Sequence, residues 1–576
     1  MGRIIPSLNE INEFYGPLKE GEKKILTFLD NNLSYDWKIY FKPNINGNNP
    51  DLALFNPNKG LMLYNIREED KDTIFEKVTP KVQLDQVKHY KKEIIKHLVP
   101  CIGETIDKSN DRTPYGTVKN GIYTHKISSK LAKHLFNYPD FPKIIGSDDL
   151  FEENLSNIIP GFLGKNKYMT EEWAEELEFW LNPPFHKRKQ IKYIELEKKQ
   201  KEHSEPKSGR HRLHGPAGCG KTLVIAHRAA QLAQEGKKVL IVTYNVTLWH
   251  YIKDMIDKTP YRFDWRNIIF DNFHGFCLDV LNELAVPKPS NDGNVEVYLD
   301  ALVDSVNKAI EDPSIENINN LKFDAIMMDE GQDFKREWYE LLCKFLTKRN
   351  EILVVCDEKQ NIYNRKIDWM PGRWLELNTV FRLPKKIGDI VNKFSKEFEL
   401  DSSVPIEGYA QSTLFEFAKM PQSHFIWENT QMNNWLLRIK AGYDKIKLEQ
   451  SRIGDGDDSN IVILLPSASK GLEAVEFFKN IQIDVNHVFN NNGNEEYSRL
   501  KRAFWIKDKR LKMSTIHSFK GWEASNVIIL IPDSWRDPKE LDNIVYTAMT
   551  RTQENLMVFN TNKRYFDFGD RVKSKW

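Results

Sequence analysis

Gly215-Pro-Ala-Gly-Cys-Gly-Lys221-Thr222 is the stretch that decides the fold, because it fits the pattern GxxxxGK[ST] in full. Residues 210–214 have strand character before it, and a helical pattern, LVIAHRAAQLAQEG, follows it at 223–236. Glycines let backbone N–H groups turn inward around phosphate oxygens, and the N-terminus of the next helix favours negative charge. We therefore expect a strand, a phosphate-binding loop and a helix, in that order.

The side chains of this loop predict a nucleoside triphosphate and Mg²⁺ as ligands. Lys221 is expected to neutralise the β- and γ-phosphates, and the Thr222 hydroxyl to hold the metal. The glycines expected to surround the phosphates are Gly215, Gly218 and Gly220.

A second acidic element, Asp329-Glu330-Gly-Gln332-Asp333, directly follows the apolar run FDAIMM. An aspartate at the end of a strand can bind the Mg²⁺ shell, and an adjacent glutamate can accept a proton from the attacking water. We expect Asp329 to be the metal ligand and Glu330 the general base. Carboxylates on a loop are usually surface residues, but a buried strand before them and a phosphate loop upstream favour catalysis.

Short apolar runs of strand length alternate with helical patterns from residue 210 onward. They are VLIVTY at 239–244, FDAIMMDE at 323–330, EILVVCD at 351–357, IVILLP at 461–466, KMSTI at 512–516, NVIILIP at 526–532 and LMVF at 556–559. Continuous apolar strands between helices predict parallel sheets covered on both faces. A helical, less patterned stretch near 385–450 separates two groups, so we expect two α/β lobes with the ligand at the carboxyl ends of the strands.

The composition is that of an ordinary globular protein with several domains. The chain has 576 residues, 40% of them hydrophobic, and a net charge of +1, so charge alone does not indicate a nucleic-acid partner. No apolar run approaches the roughly 18–20 residues that span a bilayer, and no secretory signal is recognisable. Five scattered cysteines without a CxxC pair are typical of a reduced, cytosolic protein.

Seven segments in order make residues 196–560 resemble the UvrD/Rep-like superfamily 1 helicases. Besides the phosphate loop and DEGQD, they are LEKKQ at 196–200, DEKQNIY at 357–363, LNTVFR at 377–382, STIHSFKGWE at 514–523 and VYTAMTR at 545–551. The resemblance implies two RecA-like lobes that hydrolyse ATP with Mg²⁺ and grip single-stranded DNA, with RNA as the alternative strand.

The resemblance also implies roles around the nucleotide. Gln200 is expected to contact the adenine, with Gln190 as the competing choice because the linker length could differ. Arg382 and Arg551 would be the two arginine fingers, which complete the site only when the lobes close. The other expected contacts are Phe381 with adenine, Glu523 with ribose and Gln360 with the γ-phosphate.

A strand-binding surface is implied as well. Aromatic rings offer sequence-tolerant stacking on bases. Core packing is the alternative for Phe273 and Phe276, and a buried structural role is the alternative for His274. The residues expected to contact nucleic acid are Thr243, Tyr244, Phe273, His274, Tyr363, Thr515 and His517.

Two spacings depart from the larger relatives. About 55 residues separate His274 from Asp329, and about 130 separate Arg382 from Thr515. Larger relatives carry inserted subdomains at both places, and those subdomains engage the duplex. We therefore expect translocation or strand-stimulated ATP hydrolysis rather than processive unwinding.

Residues 10–98 resemble the nuclease-related domain (NERD), a member of the PD-(D/E)xK nuclease fold. Gly21-Glu22 opens the matching helix and Pro50-Asp51 begins a strand. The segment GLMLYNIR at 60–67 stands where that family has its strand with a glutamate and a lysine.

Two substitutions in that last strand bear on cleavage. Asn65 replaces the metal-binding glutamate and Arg67 replaces the lysine, so the vestigial set is Glu22, Asp51, Asn65 and Arg67. Because asparagine is a poor Mg²⁺ ligand and arginine keeps its proton, we expect a domain that binds without cutting. A register shift onto Glu69-Asp70-Lys71 is the alternative, but it leaves the Gly60 alignment unexplained.

We therefore predict a NERD-like domain at 1–165, a helical connector at 166–205, and RecA-like lobes at 206–375 and 376–576. The predicted function is ATP-driven translocation on single-stranded DNA, with an N-terminal module for nucleic acid or a protein partner and no membrane contact. Two alternatives stay open: an active nuclease–helicase that degrades foreign DNA, and an ATP-gated switch that binds a partner. Bacterial anti-phage defence is a setting suggested only by analogy.

Overall fold

The computed structural model divides into two compact units, residues 1–190 and 191–576, and each is described by itself. The structure describes residues 3–8, 10–11, 16–43, 45, 49–76, 79–109, 113–137, 142–161, 164–181, 196–216, 218–245, 247–290, 295–312, 321–357, 365, 374–377, 383–400, 423–453, 458–490, 500–501, 504–505, 508 and 510–572.

The first unit is built on a mixed six-stranded sheet in the order β1-β2-β3-β4-β5-β6. The strands are β1 (Arg3–Ile5), β2 (Lys38–Phe41), β3 (Leu52–Asn56), β4 (Gly60–Arg67), β5 (Val118–Thr124) and β6 (Lys143–Ile145). The pairs β2–β3 and β3–β4 are antiparallel, and the other three pairs are parallel. Because Leu52 pairs with Tyr64, Asp51 lies level with Asn65.

Helices pack around this sheet. Helix α1 buries Ile25, Leu26 and Leu29 in the core of the unit, and Thr79 caps the N-terminus of α2. A π-helical turn, Ile94–Leu98, continues α2. The α-helices are α1 (Glu20–Asn32), α2 (Pro80–Glu93), α3 (Pro100–Ser109), α4 (Ser129–Phe136), α5 (Leu155–Ile158) and α6 (Glu171–Leu181).

The first lobe of the second unit has a six-stranded, wholly parallel sheet in the order β12-β7-β11-β10-β8-β9. Its strands are β7 (Gly209–His214), β8 (Val239–Thr243), β9 (Ile268–Asn272), β10 (Phe323–Met328), β11 (Leu346–Cys356) and β12 (Leu375–Glu376). Its helices are α7 (Lys198–Ser204), α8 (Lys221–Gln234), α9 (Leu248–Asp257), α10 (Phe273–Glu283), α11 (Val295–Glu311) and α12 (Arg336–Cys343).

The second lobe repeats this plan with a parallel sheet in the order β13-β18-β17-β14-β16-β15. Its strands are β13 (Phe425–Asn429), β14 (Ile461–Leu465), β15 (Val485–His487), β16 (Leu511–Thr515), β17 (Ala524–Ile531) and β18 (Thr552–Asn560). Its helices are α13 (Lys385–Glu397), α14 (Trp435–Ile453), α15 (Ala468–Asn480), α16 (Ile516–Phe519), α17 (Pro538–Met549) and α18 (Phe566–Val572).

The two parallel sheets confirm the predicted α/β fold of a P-loop ATPase. Every residue of β8, β14 and β16 is buried, as parallel strands covered on both faces should be. Strand β13 corrects the expectation of a helical stretch at 385–450, because Phe425–Asn429 pairs with β18 at the edge of the sheet. Within the described residues, no helix is long and apolar enough to cross a membrane.

Candidate nucleotide site

The phosphate loop joins β7 to α8 at the carboxyl edge of the first parallel sheet. Gly218 and Gly220 have φ angles of 76° and 89°, where a residue with a Cβ atom is strained. The buried Lys221 donates from Nζ to the carbonyl oxygens of Gly215 at 2.7 Å and Pro216 at 2.9 Å. Backbone carbonyls of the loop therefore bind the ammonium group of the loop's own lysine.

The charge of Lys221 is supported from the neighbouring strand. Its Nζ lies 3.3 Å from Oδ2 of Asp357, which directly follows β11. Burial opposes the charged form, but the negative charges of Asp357 and Glu330 outweigh it and raise the pKa of the lysine. Lys221 is thus a fixed cation at the mouth of the loop.

Asp329 and Glu330 lie beside the loop, directly after β10. Thr222 donates from Oγ1 to Oδ2 of Asp329 at 3.0 Å. Burial and the charge of Glu330 raise the pKa of Asp329 to about 7. Burial also disfavours the ionised form of Glu330, but Lys520 and other cations outweigh it and lower the pKa of that carboxyl. Of the two carboxyls, Glu330 is therefore the one whose surroundings favour the ionised form more strongly.

The Thr222 hydroxyl and the Asp329 carboxylate suit Mg²⁺, which takes oxygen ligands and usually shares them with substrate phosphates. Among the described residues, no group of three His, Cys, Asp or Glu side chains could hold a metal. By the chemistry of its two oxygen ligands, the Thr222–Asp329 pair fits Mg²⁺ that is bound together with nucleotide phosphates.

One cavity joins the phosphate loop to the second lobe. Arg551 follows α17 and is only 4% exposed, yet it lines this cavity together with Lys221. Its Nε donates to the carbonyl of Thr547 at 3.1 Å. Its Nη2 is buried and has no hydrogen-bond partner in the part of the chain that the structure describes. The residues that line the cavity are Gly218, Gly220, Lys221, Thr222, Tyr251, Glu330, Asp357, Gly521, Glu523 and Arg551.

The two lobes are docked through residues 518–522 of the second lobe, here called the docking loop. Asn245 donates from Nδ2 to the carbonyls of Ser518 at 3.1 Å and Lys520 at 2.9 Å. Thr247 donates to the Ser518 carbonyl at 2.8 Å and accepts from the indole of Trp522 at 2.8 Å. The docking loop thus rests on the segment that follows β8.

A buried ion pair crosses the same interface. Lys520 donates to both carboxylate oxygens of Asp333, at 2.7 and 2.8 Å, and lies 3.7 Å from Oε2 of Glu330. Burial raises the pKa of Asp333 to about 6, against the opposing charge of Lys520. Gln332 donates to Glu330 from its Nε2 and accepts from the Asp357 N–H at 2.9 Å.

Gln200 lies buried against the phosphate loop. Its Nε2 donates to the Cys219 carbonyl at 2.9 Å, and its Oε1 accepts from the Glu197 N–H at 3.0 Å. Both ends of the amide are therefore engaged within the protein, and the adenine contact stays a prediction. Glu523 lines the cavity, where Gln553 donates to its Oε2 at 3.0 Å.

Phe273 is a core residue, which corrects its predicted contact with nucleic acid. It is 1% exposed, and its ring stacks on that of Trp338 with centroids 4.7 Å apart. The ring of Phe273 therefore has no exposed face on which a nucleic-acid base could stack. Phe276 is buried in the same core. Tyr244 is partly buried, and the guanidinium of Arg365 lies over both its ring and that of Trp338, at 4.8 Å from each.

The remaining predicted strand contacts have local partners. Thr243 donates from its hydroxyl to the Asn245 carbonyl at 2.9 Å. Thr515 accepts from the Ser518 N–H at 3.1 Å and so caps α16, which contains His517. Burial lowers the pKa of His517. His274 packs edge-to-face against Tyr298. Their contacts with nucleic acid stay predictions.

Five predicted residues lie outside the described part of the chain. They are Gln190, Gln360, Tyr363, Phe381 and Arg382. Their roles stay predictions that follow from the resemblance.

The four residues predicted to be a vestigial nuclease set meet in the first unit. Lys42 lies 2.7 Å from Oε1 of the buried Glu22. Asp51 accepts from the Ile66 N–H at 2.7 Å; burial raises its pKa, and Lys42 and Arg67 oppose that rise. Among the described residues, Oδ1 of Asn65 and Nε of Arg67 are buried without a hydrogen-bond partner. Two cations thus stand among the two carboxylates.

Sequence reasoning assigned no role to several residues of the nucleotide site. Tyr251 lies on α9, outside the motifs, and nothing in its local sequence marks it. Asp357, Asp333 and Lys520 belong to the motifs, but the partner of each is distant in the chain. Lys520 and Asp333, for example, are 187 positions apart.

Two family models match the second unit. Residues 201–366 match the model described as an AAA domain, and residues 511–559 match the UvrD-like helicase C-terminal domain. Both matches support a UvrD/Rep-like superfamily 1 helicase. No curated protein matches the chain.

Proposed function

We propose that this protein is an ATP-driven translocase of the superfamily 1 helicase type, whose ATP hydrolysis is stimulated by single-stranded DNA. One observation carries the proposal. Arg551, from the second lobe, lines the same cavity as the phosphate loop of the first and brings a buried guanidinium nitrogen without a partner among the described residues. An anion that reaches Lys221 would complete the bonding of that nitrogen.

Each of the described side chains would have its own role in ATP hydrolysis. Lys221 would neutralise the β- and γ-phosphates, and Thr222 with Asp329 would hold Mg²⁺. Bound Mg²⁺ would neutralise charge on the phosphate oxygens. Glu330, whose pKa the nearby cations lower against the effect of burial, would accept a proton from the attacking water. Arg551 would stabilise the charge that develops on the transferred phosphoryl group.

The second arginine finger, Arg382, and the sensor, Gln360, would complete the site. Gln200 and Phe381 are proposed to hold the adenine, and Glu523 the ribose. Because Arg551 belongs to the far lobe, turnover requires docked lobes, and opening after hydrolysis would let the grip on the strand alternate.

The strand itself is proposed to contact the first lobe through Thr243, Tyr244 and His274, and the second through Thr515 and His517. Tyr363 would add a stacking surface between bases. DNA is the proposed polymer and RNA the alternative.

The N-terminal unit is proposed to bind nucleic acid or a protein partner without cutting. Lys42 pairs with Glu22, and Arg67 favours the ionised Asp51. Both cations would oppose a divalent metal at the position where a nuclease needs one. An active nuclease that degrades foreign DNA, as in anti-phage defence, is the alternative that cutting assays can decide.

The test is the ATP turnover rate with and without single-stranded DNA, on the wild type and on Lys221→Ala. We expect DNA to raise the wild-type rate and the substitution to abolish turnover, because the loop would lose its fixed cation. A wild type with turnover that DNA does not change would favour an ATP-gated switch. No turnover in either condition would refute the proposal.

A further inference from the structure

Lys520 belongs to the second lobe, but its ammonium lies among carboxylates of the first. It bonds both oxygens of Asp333 and lies 3.7 Å from Glu330. Lys520 and Asp333 are 2% and 1% exposed. Because burial strips water from both charges, such a pair adds little net stability and needs another explanation.

The position of Lys520 depends on docked lobes. Asn245 binds the Lys520 carbonyl directly, and Thr247 binds the carbonyl of Ser518. Gly521 has a φ of 87°, and a Cβ atom there would lie 2.6 Å from the side chain of Leu248. The docking loop can therefore approach the first lobe this closely only with glycine at that position, and its approach carries Lys520 to Glu330.

Glu330 is faced by three cations and one amide. Lys221 and Arg551 line the nucleotide cavity, where phosphate oxygens would compete for them. Gln332 donates to Glu330 and is itself fixed by the Asp357 N–H. Lys520 is not one of the residues that line the cavity. A bound nucleotide would therefore not compete for its ammonium, which would stay with Asp333 and Glu330.

The geometry points to Lys520 as a positioning residue for hydrolysis, carried in by the docking loop to hold Glu330 where it can accept the proton of the attacking water. The inference rests on the proposed function. In the step, the water oxygen bonds to the γ-phosphorus, its proton moves to Glu330, and the bond from that phosphorus to the bridging oxygen breaks to leave ADP and phosphate.

The same segment is proposed to meet the strand. Thr515 and His517 lie five and three positions before Lys520, and Thr515 caps the short helix α16, whose last two residues belong to the docking loop. The segment from Thr515 to Lys520 would then both contact the strand and determine the position of Glu330. Binding of the strand would then change the position of Glu330 and so stimulate ATP hydrolysis.

The experiment compares kcat and KM for ATP, at saturating single-stranded DNA, in Lys520→Met, Asp333→Asn and the double variant. We expect Lys520→Met to lower kcat about 10²-fold, the low end for loss of a general base, with KM changed less than about threefold. Asp333→Asn should keep kcat within about tenfold, because Lys520 still reaches Glu330. The double variant should stay as slow as Lys520→Met.

If the Lys520–Asp333 pair only held the two lobes together, the kcat values of the variants would show a different pattern. Each single variant would then leave one buried charge unpaired and be equally impaired, and the double variant would recover. Lys520→Arg should restore part of kcat if a cation is what Glu330 needs. Lys512→Met is the matched control, because Lys512 is buried in the same lobe and donates to the carbonyls of Asp508 at 2.7 Å and Asp458 at 3.0 Å.

The outcomes separate the two claims. A wild type without ATP turnover would refute the proposed function and this inference with it. An active wild type combined with a Lys520→Met variant within about threefold of its kcat, or with a double variant that regains wild-type kcat, would overturn the inference alone. If Lys520→Met does not fold, the double variant, which leaves neither charge buried, carries the same test.

Discussion

The guanidinium of Arg551 is buried beside the phosphate loop, and its Nη2 has no partner among the described residues. A buried donor left unpaired costs roughly 1–3 kcal/mol, and more when the group is charged. Helix α17 and the carbonyl of Thr547 nevertheless hold the group in place. The cost of the unpaired Nη2 has a functional explanation if this nitrogen binds an anion during turnover.

Arg551→Ala should therefore reduce kcat by about 10³-fold or more while KM for ATP changes much less, because an arginine finger acts on the transition state. Arg551→Lys should recover little, since an ammonium lacks the planar fork of donors. Steady-state ATPase assays measure both values. Arg510→Ala is the control, because Arg510 pairs with Asp508 in the same lobe and is not among the residues that line the cavity. Equal losses of kcat in both alanine variants would contradict the assigned role.

Local spacing is enough to find some of these residues and not others. Lys221 and Thr222 are adjacent, Asp329 ends a recognisable strand, and Thr222 bonds Asp329 beside the cavity that Lys221 lines. Lys520 and Asp333 meet only because two lobes dock, and no spacing within either lobe encodes that contact. The prediction for Phe273 was wrong for a related reason, since a ring in a motif looks the same whether it faces a base or Trp338.

The docking loop is the element on which both lobes converge, and Gly521 sets how closely they approach. A residue with φ near 87° and a Cβ atom 2.6 Å from Leu248 would be strained in its backbone and would clash with its neighbour. The two effects can be separated, because Gly236 has a φ of 76°, but a Cβ atom there would meet no described atom within 4 Å.

Gly521→Ala should lower kcat at least about tenfold, because the docking loop could no longer seat Lys520 beside Glu330. Gly236→Ala should cost a similar backbone strain, of order 1–3 kcal/mol, and leave kcat within about twofold. Leu248→Ala added to Gly521→Ala should regain part of the lost turnover by making room for the methyl group. ATPase rates and unfolding free energies measure the two effects. Equal kcat in both glycine variants would show that docking does not limit turnover.

Continuous apolar runs made the central strands predictable, because only strands buried on both faces need them. β14 and β17 lie where IVILLP and NVIILIP placed them. The edge strand β13 was missed because its sequence, FIWEN, is short and only partly apolar. Its strand character comes from pairing with β18, which is a tertiary effect.

At the scale of the whole molecule, the chain contains a first unit with a mixed six-stranded sheet and a second unit with two parallel sheets. The first unit keeps Glu22 and Asp51 but sets Lys42 and Arg67 among them. In an active enzyme of the resembled fold, a second acidic residue and a lysine would stand at Asn65 and Arg67. On the predicted resemblance to that fold, the neutral Asn65 and the cationic Arg67 lack the negative charge that attracts a metal.

We therefore expect the protein not to cleave single- or double-stranded DNA with Mg²⁺ or Mn²⁺, whether or not ATP is present. The double substitution Asn65→Glu with Arg67→Lys should introduce metal-dependent cleavage, because it returns a carboxylate opposite Asp51 and a lysine two positions later. Adding Asp51→Ala to that variant should abolish the new activity, whereas Lys221→Ala should leave it intact. Gel assays of labelled DNA, with EDTA as the metal-free control, measure cleavage. Wild-type cutting that Asp51→Ala abolishes would instead establish an active nuclease joined to the ATPase.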